Sequence, residues 1–316
     1  VCFKDRIPAL FWWQDRCALE AGVQKLKEAF FAAGHPIATL PSLHENVGAQ
    51  TKDAPEKPSG AVLPHLAQVH LDLSIASLAK EKNEDGPWQA AAQLVEACGK
   101  KAGATAAFLD VSRGTLESGE GAYPAAKKEI SDPWWIREIL GADPKDISGY
   151  AELGKGVGVA LFDHPPDPEH PALKGRLAPP MAAWRLPHYP QISPVFDDHG
   201  TGSAGLICGL ESENGPQVGA APGVTLHPVH LWPGGGFSAV PDRFRILCRG
   251  LELVRERQRR PGNFAPVQII SQQYTITSLR APAFLSVHLE SALRVLEAAY
   301  ARAAGMWGLA VLCSAG

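Results

Sequence analysis

The sequence predicts an α/β protein in two parts: a three-layer parallel sheet with helices on both faces, preceded by a separate α/β region. Three observations carry this. From residue 154 onward, short apolar runs at 157–162, 224–231, 267–270 and 306–313 alternate with helix-length stretches at 201–210, 243–257 and 285–304. Strands that alternate with helices imply right-handed crossovers and a parallel sheet covered on both sides. The length of 316 residues suits two domains, and the pattern places them at 1–150 and 151–316.

In the first region, residues 18–33 have helical spacing, with Leu19, Val23, Leu26 and Phe30 on one stripe. Gly34-His35-Pro36 ends that helix, and 37–40 read as a short strand. Residues 47–60, polar and rich in Pro and Lys, read as a loop. Residues 63–78 suit a helix or a strand–helix unit, and 87–101 a helix closed by Gly99 or Gly103. A buried strand is expected at 106–111, a Gly-rich loop at 115–123, and a short helix from Pro133-Trp134-Trp135 to Leu140. Residues 141–153 read as a linker. Trp12, Trp13, Trp134 and Trp135 are most simply packing residues, and Asp110 is a solvated loop acid at a strand end.

In the second region, 157–162 is the first core strand. Residues 164–194 form a long loop stiffened by prolines. The helix at 243–257 turns Phe244, Leu247, Leu251 and Val254 inward, and 306–313 is a further buried strand. Function in such sheets gathers at the carboxyl ends of the strands, where Asp163 closes one strand and Ser271 follows another. Composition excludes several classes. Hydrophobic content is 45% and the net charge is −3, ordinary for a soluble globular chain and without the basic balance of a nucleic-acid binder. The basic run from Arg255 to Arg260 reads as a solvated helix end. No stretch is long and apolar enough to span a membrane. The six cysteines show no CxxC or Cys/His metal spacing; Cys208 and Cys313 read as small buried hydrophobes. Scattered free thiols and the lack of a visible signal segment point to the cytoplasm, with secretion as the alternative.

The chemistry-bearing stretch is Asp197-Asp198-His199-Gly200-Thr201-Gly202-Ser203, a histidine at a loop-to-helix junction among small residues. Upstream, Gly156-Val157-Gly158-Val159-Ala160-Leu161-Phe162-Asp163 is an apolar strand that ends in a carboxylate. Taken singly, these are a satisfied core histidine and a strand-end cap. Together, an acid at a strand end and a histidine at a helix start are the Asp-then-His half of an Asp…His…Ser triad. The blocks Gly154 to Asp163 and Asp198-His199-Gly200-Thr201, then Gly219-Ala220-Ala221-Pro222-Gly223-Val224, and finally Val311-Leu312-Cys313-Ser314-Ala315-Gly316, resemble in order four blocks of the subtilisin-like serine proteases (subtilases). The resemblance covers about residues 152–316 and leaves the first region unexplained.

The resemblance implies a subtilisin-like sheet, with Asp163 as the orienting acid and His199 as the general base of a serine endopeptidase. It also implies substrate-binding roles for Ser271, for Gly236 in the cleft-lining loop, and for Gly316. The nucleophile belongs to a Gly-Thr-Ser-x-Ala segment that follows the oxyanion Asn. The chain stops at Gly316, one residue short of that Asn, so the serine is expected beyond residue 316 and the sheet is incomplete at its C-terminal end. Ser238 and Ser203 are poor substitutes by position. This chain alone is expected to be inactive. Two departures stand out: Asp163-His164-Pro165 replaces Asp-Thr-Gly or Asp-Ser-Gly, and Ser271-Gln272-Gln273 replaces Ser-Leu-Gly. They leave open a catalytically inactive subtilase-fold binding or scaffold protein that uses residues 1–150 to hold a partner. His164, His170, His188 and His199 match no zinc spacing, and His227 and His230 fall on different strand faces, so no metal site is expected. Calcium is possible by resemblance, without a recognisable site. The expected partners are a peptide or protein substrate and a regulatory partner for residues 1–150, with no nucleic acid and no membrane.

Overall fold

The structure is a computed structural model that describes residues 6–34, 65–72, 86–109, 134–143, 146–185, 194–196, 198–210, 219–231, 243–272 and 283–313. It divides into two compact units. One comprises Val1–Gly114, Ala239–Cys248 and Ile276–Arg302; the other comprises Thr115–Ser238, Arg249–Thr275 and Ala303–Gly316.

The first unit holds a three-stranded antiparallel sheet in the order β2-β1-β3, built from β1 (Arg6–Trp12), β2 (Leu66–Asp72) and β3 (Ala106–Leu109). Pro8 pairs with β2 only, since β3 begins its pairing at Ala9. A missing N–H is tolerated where a strand has no second partner. Helices α1 (Arg16–Ala32) and α2 (Gly86–Lys101) pack with this sheet. The Asp15 carboxylate caps α1 by accepting the Ala18 N–H at 2.8 Å, satisfying an otherwise orphaned donor. Gly103, at φ 65°, lets the chain reverse after α2. Phe11, Trp13, Leu26, Phe30, Leu71 and Val95 fill the core. Trp13 meets the demand of its buried indole N–H by donating to the Ala102 carbonyl at 3.2 Å. The strand expected at 37–40, the loops at 47–60 and 115–123, and Asp110 lie outside the described residues.

The second unit is the parallel sheet, five strands in the order β5-β6-β4-β7-β8. They are β4 (Gly158–Asp163), β5 (Met181–Ala182), β6 (Thr225–His230), β7 (Val267–Gln272) and β8 (Ala310–Cys313). Helices α3 (Trp134–Leu140) and α4 (Asp198–Cys208) belong to this unit, and α5 (Arg243–Arg259) and α6 (Ala283–Trp307) are divided between the two units. One sheet face carries Val159, Leu161 and Leu226 against Ala204 and Cys208 of α4. The other carries Phe162 and Val229 against α5, where Gly250 lies so close that a Cβ would press on the Phe162 ring. Helices therefore cover both faces of a parallel sheet, as the alternation of strands and helices predicts.

Several expectations need correction. The two-residue β5 interrupts what reads as one long loop at 164–194. Residues 141–153 are not a free linker where described. A 3-10 turn at Tyr150–Glu152 docks on the 219–224 segment: the Tyr150 hydroxyl donates to the Gly219 carbonyl and the Gly223 N–H donates to the Leu153 carbonyl at 2.7 Å. The run at 306–313 is not a buried strand. Residues 306 and 307 finish α6, Gly308 turns the chain at φ 65°, and in β8 Ala310, Leu312 and Cys313 are exposed. Cys313 is accordingly a surface thiol, while Cys208 is buried as expected. The basic helix end is partly engaged: Arg257 donates to the Pro179 carbonyl at 3.1 Å and Arg255 stacks over the Trp307 ring.

Candidate active site

Six residues of β4 run buried through the middle of the sheet and end on Asp163. That places a carboxylate, 6% exposed at its side chain, at the carboxyl edge where loops open. His199 is the second residue of α4, and 49% of its side chain is exposed. Its Nδ1 lies 2.7 Å from Asp163 Oδ1. The same Oδ1 accepts the His164 N–H at 2.7 Å. An ionised carboxylate offers only lone pairs, so the proton of this contact belongs to Nδ1. Nε2 is then the basic nitrogen of the half-exposed ring.

Backbone contacts hold the pair in register. A Cβ on Gly200 would run into the His164 carbonyl oxygen, so only glycine lets the first turn of α4 lie against the loop that follows the acid. Thr201 Oγ1 accepts the Asp167 N–H at 3.0 Å and ties the same loop to the helix one residue further on. The other end of α4 is also fixed. The N–H groups of Ala220 and Ala221 donate to the carbonyls of Leu206 and Ile207, both at 2.9 Å. These satisfy carbonyls that a helix end leaves orphaned. The Gly219-Ala220-Ala221-Pro222-Gly223 segment is thus the cap of the helix that carries His199. A Cβ on Gly219 or Gly223 would meet backbone.

Residues 154–242 match the model of the subtilase family. The matched stretch contains Asp163, His199 and the α4 cap. No curated protein matches. Among solved structures, the chain is similar to the epidermin leader peptide processing serine protease of Staphylococcus aureus, at 10% identity over 99% of this chain and 61% of that one, TM-score 0.48. It is similar to fervidolysin of Fervidobacterium pennivorans, a keratinolytic enzyme related to subtilisin, at 14% identity over 100% of this chain and 41% of that one, TM-score 0.43. It is also similar to MycP1 of Mycobacterium smegmatis, at 20% identity over 60% of this chain and 47% of that one, TM-score 0.36. The chain spans about half the length of these proteins.

Beside the acid stands a histidine that strand alternation separates from His227 and that no motif assigns to the site. His230 ends β6, pairs in register with Asp163 and is 4% exposed. Burial, helped by the Arg185 charge, pushes its imidazole down from the usual 6.5 to about 4. The ring is therefore neutral at physiological pH. His227 lies on the opposite sheet face. Its Nε2 donates to the Ala265 carbonyl at 2.8 Å, and burial lowers its proton affinity as well. Alternation along β6 separates the faces of the two histidines but does not mark their burial, because the last five residues of the strand are all buried.

Ser271 lies on β7 between Leu161 and Leu312, on the face that Asp163 shares and one register step before the sheet edge. The next residue, Gln272, is 3% exposed, and its Oε1 has no hydrogen-bond partner among the described residues. Gly236 and Gly316, and with them Ser238, lie outside the described residues. Among the described residues no group of three His, Cys, Asp or Glu side chains is placed to hold a metal ion. No helix among them is long and apolar enough to cross a membrane. A cavity of about 320 Å³ opens at the amino end of the sheet, lined by Glu152, Lys155, Arg176, Pro222, Thr225 and Phe264, at the opposite end of the strands from Asp163.

Proposed function

We propose that this chain carries the acid and the base of a subtilisin-type serine endopeptidase. The observation that carries the reading is the 2.7 Å contact between His199 Nδ1 and Asp163 Oδ1, which leaves Nε2 as the basic nitrogen. A serine hydroxyl is a weak nucleophile until a positioned base takes its proton. His199 Nε2 accepts that proton as the serine oxygen attacks the scissile carbonyl. Asp163 stabilises the resulting imidazolium and keeps the ring in its tautomer. His199 then returns the proton to the leaving amine, and water hydrolyses the acyl-enzyme by the same steps in reverse roles. The reading calls for a nucleophilic serine in a Gly-Thr-Ser-x-Ala segment and, ahead of that segment, for an oxyanion Asn; residues 1–316 hold no such segment. The substrate is a peptide or protein whose extended backbone lies along β7 near Ser271, as strand addition to a sheet, and Gly236 and Gly316 are further substrate-binding residues by family resemblance. Residues 1–150 serve as an accessory or regulatory domain for a partner.

A second reading, a subtilase-fold binding protein without hydrolytic activity, is favoured by Asp163-His164-Pro165 standing where the family has a small hydroxyl residue and a glycine. One experiment separates them: fluorophosphonate labelling of the protein with its serine segment, beside His199→Ala. Covalent labelling that the His199→Ala variant loses supports the endopeptidase. No labelling of the folded protein overturns it in favour of the binding reading.

A further inference from the structure

We propose that His164 is a positioning residue that orients and tunes His199 through its own imidazole. This rests on the reading of Asp163 and His199 as acid and base, and it gives the unusual residue after the acid a task. Three parts of His164 touch the pair. Its N–H donates to Asp163 Oδ1 at 2.7 Å, and its carbonyl packs against Gly200. Its ring stands 5.5 Å from the His199 ring, centroid to centroid, at 45°. The first two contacts are backbone and any residue makes them. The third needs an aromatic side chain, which neither serine nor threonine supplies.

A ring at this place acts in two ways. It narrows the space through which the half-exposed His199 ring swings, so the hydrogen bond to Asp163 is kept. It also carries a charge when protonated. Two imidazolium ions this close repel, so a proton on His164 disfavours one on His199 and preserves the free base toward lower pH. The other titratable groups around the pair pull in known directions. Asp163 on β4 attracts the His199 imidazolium. Asp167, on the loop that follows, commits its Oδ1 to the Glu169 N–H at 2.9 Å. Asp198 on α4 is exposed, and His230 on β6 is buried and neutral.

The test is histidine NMR on the whole chain, with wild type, His164→Phe, His164→Gln, Asp163→Asn and, for assignment, His199→Ala. The Phe variant keeps a ring and removes the charge. The His199 titration midpoint is expected to rise by about half a pH unit, the size for two unit charges at this separation in a wet site. The rise should shrink with added salt. The Gln variant, neutral and without a ring, shows the same rise if His164→Phe fails to fold. A midpoint that stays put in both variants overturns the proposal and leaves the acid–base reading intact. If the wild type lacks the downfield Nδ1–H resonance that Asp163→Asn removes, the acid–base reading fails, and this proposal with it.

Discussion

Asp163 and Gly200 show how far single residues can be read. Alone, an apolar strand that ends in a carboxylate reads as a strand-end cap, and Asp163 gains a second reading only beside a histidine at a helix start. The contact that makes it an acid–base pair depends on a helix 36 residues later, and only the fold brings it to 2.7 Å. Asp163→Asn should leave the fold intact and slow fluorophosphonate labelling of the serine-bearing protein by about 10⁴-fold, because the ring loses its tautomer and its counter-charge. Gly200 reads from sequence as a generic small residue. Its true constraint is a carbonyl on another segment, which no local pattern encodes. Gly200→Ala should cost about 1–3 kcal/mol in chemical denaturation and disturb the His199 Nδ1–H resonance, since the helix must back away from the acid. The tie of Thr201 to the Asp167 N–H is illegible for the same reason: its partner lies on another segment.

At the level of elements, long periodic segments were readable and short or edge ones were not. The stripe Phe244, Leu247, Leu251 and Val254 is buried as its spacing requires. β1 escaped notice because Pro8 interrupts a run that has no alternation, and β5 because two residues carry no pattern. β8 misled because its apolar composition looks like burial. As an edge strand it exposes Leu312 by 59%, whereas Leu161, two strands further in and across from Ser271, is 4% exposed. Leu161→Ala should therefore cost about 2–5 kcal/mol, followed in urea by the fluorescence of the buried Trp184. Leu312→Ala should cost less than about 0.5 kcal/mol in the same measurement.

For the molecule as a whole, the two-part layout with a parallel sheet in the second part was legible from the change in periodicity. The interleaving of segments 239–248 and 276–302 with the N-terminal unit was not, because it depends on contacts distant in sequence. Acid stability is a property at this scale. His230 binds its proton less readily folded, at about 4, than unfolded, near 6.5. Between those values the unfolded chain holds more protons, so stability present above about pH 6.5 drains away as the pH falls toward about 4. For this buried ring the loss is on the order of 3 kcal/mol. Urea midpoints should fall over that window, and His230→Gln should flatten the fall. The doubly tethered α4 has a consequence of another kind. With the Asp163 loop gripping one end and residues 220–221 the other, the helix has no frayed end from which to unzip. Its amides should trade hydrogen for deuterium together and only in rare, large openings. Warming such a protein does not loosen the Asp163–His199 contact by degrees: it holds level until the helix lets go, and then it is gone at once.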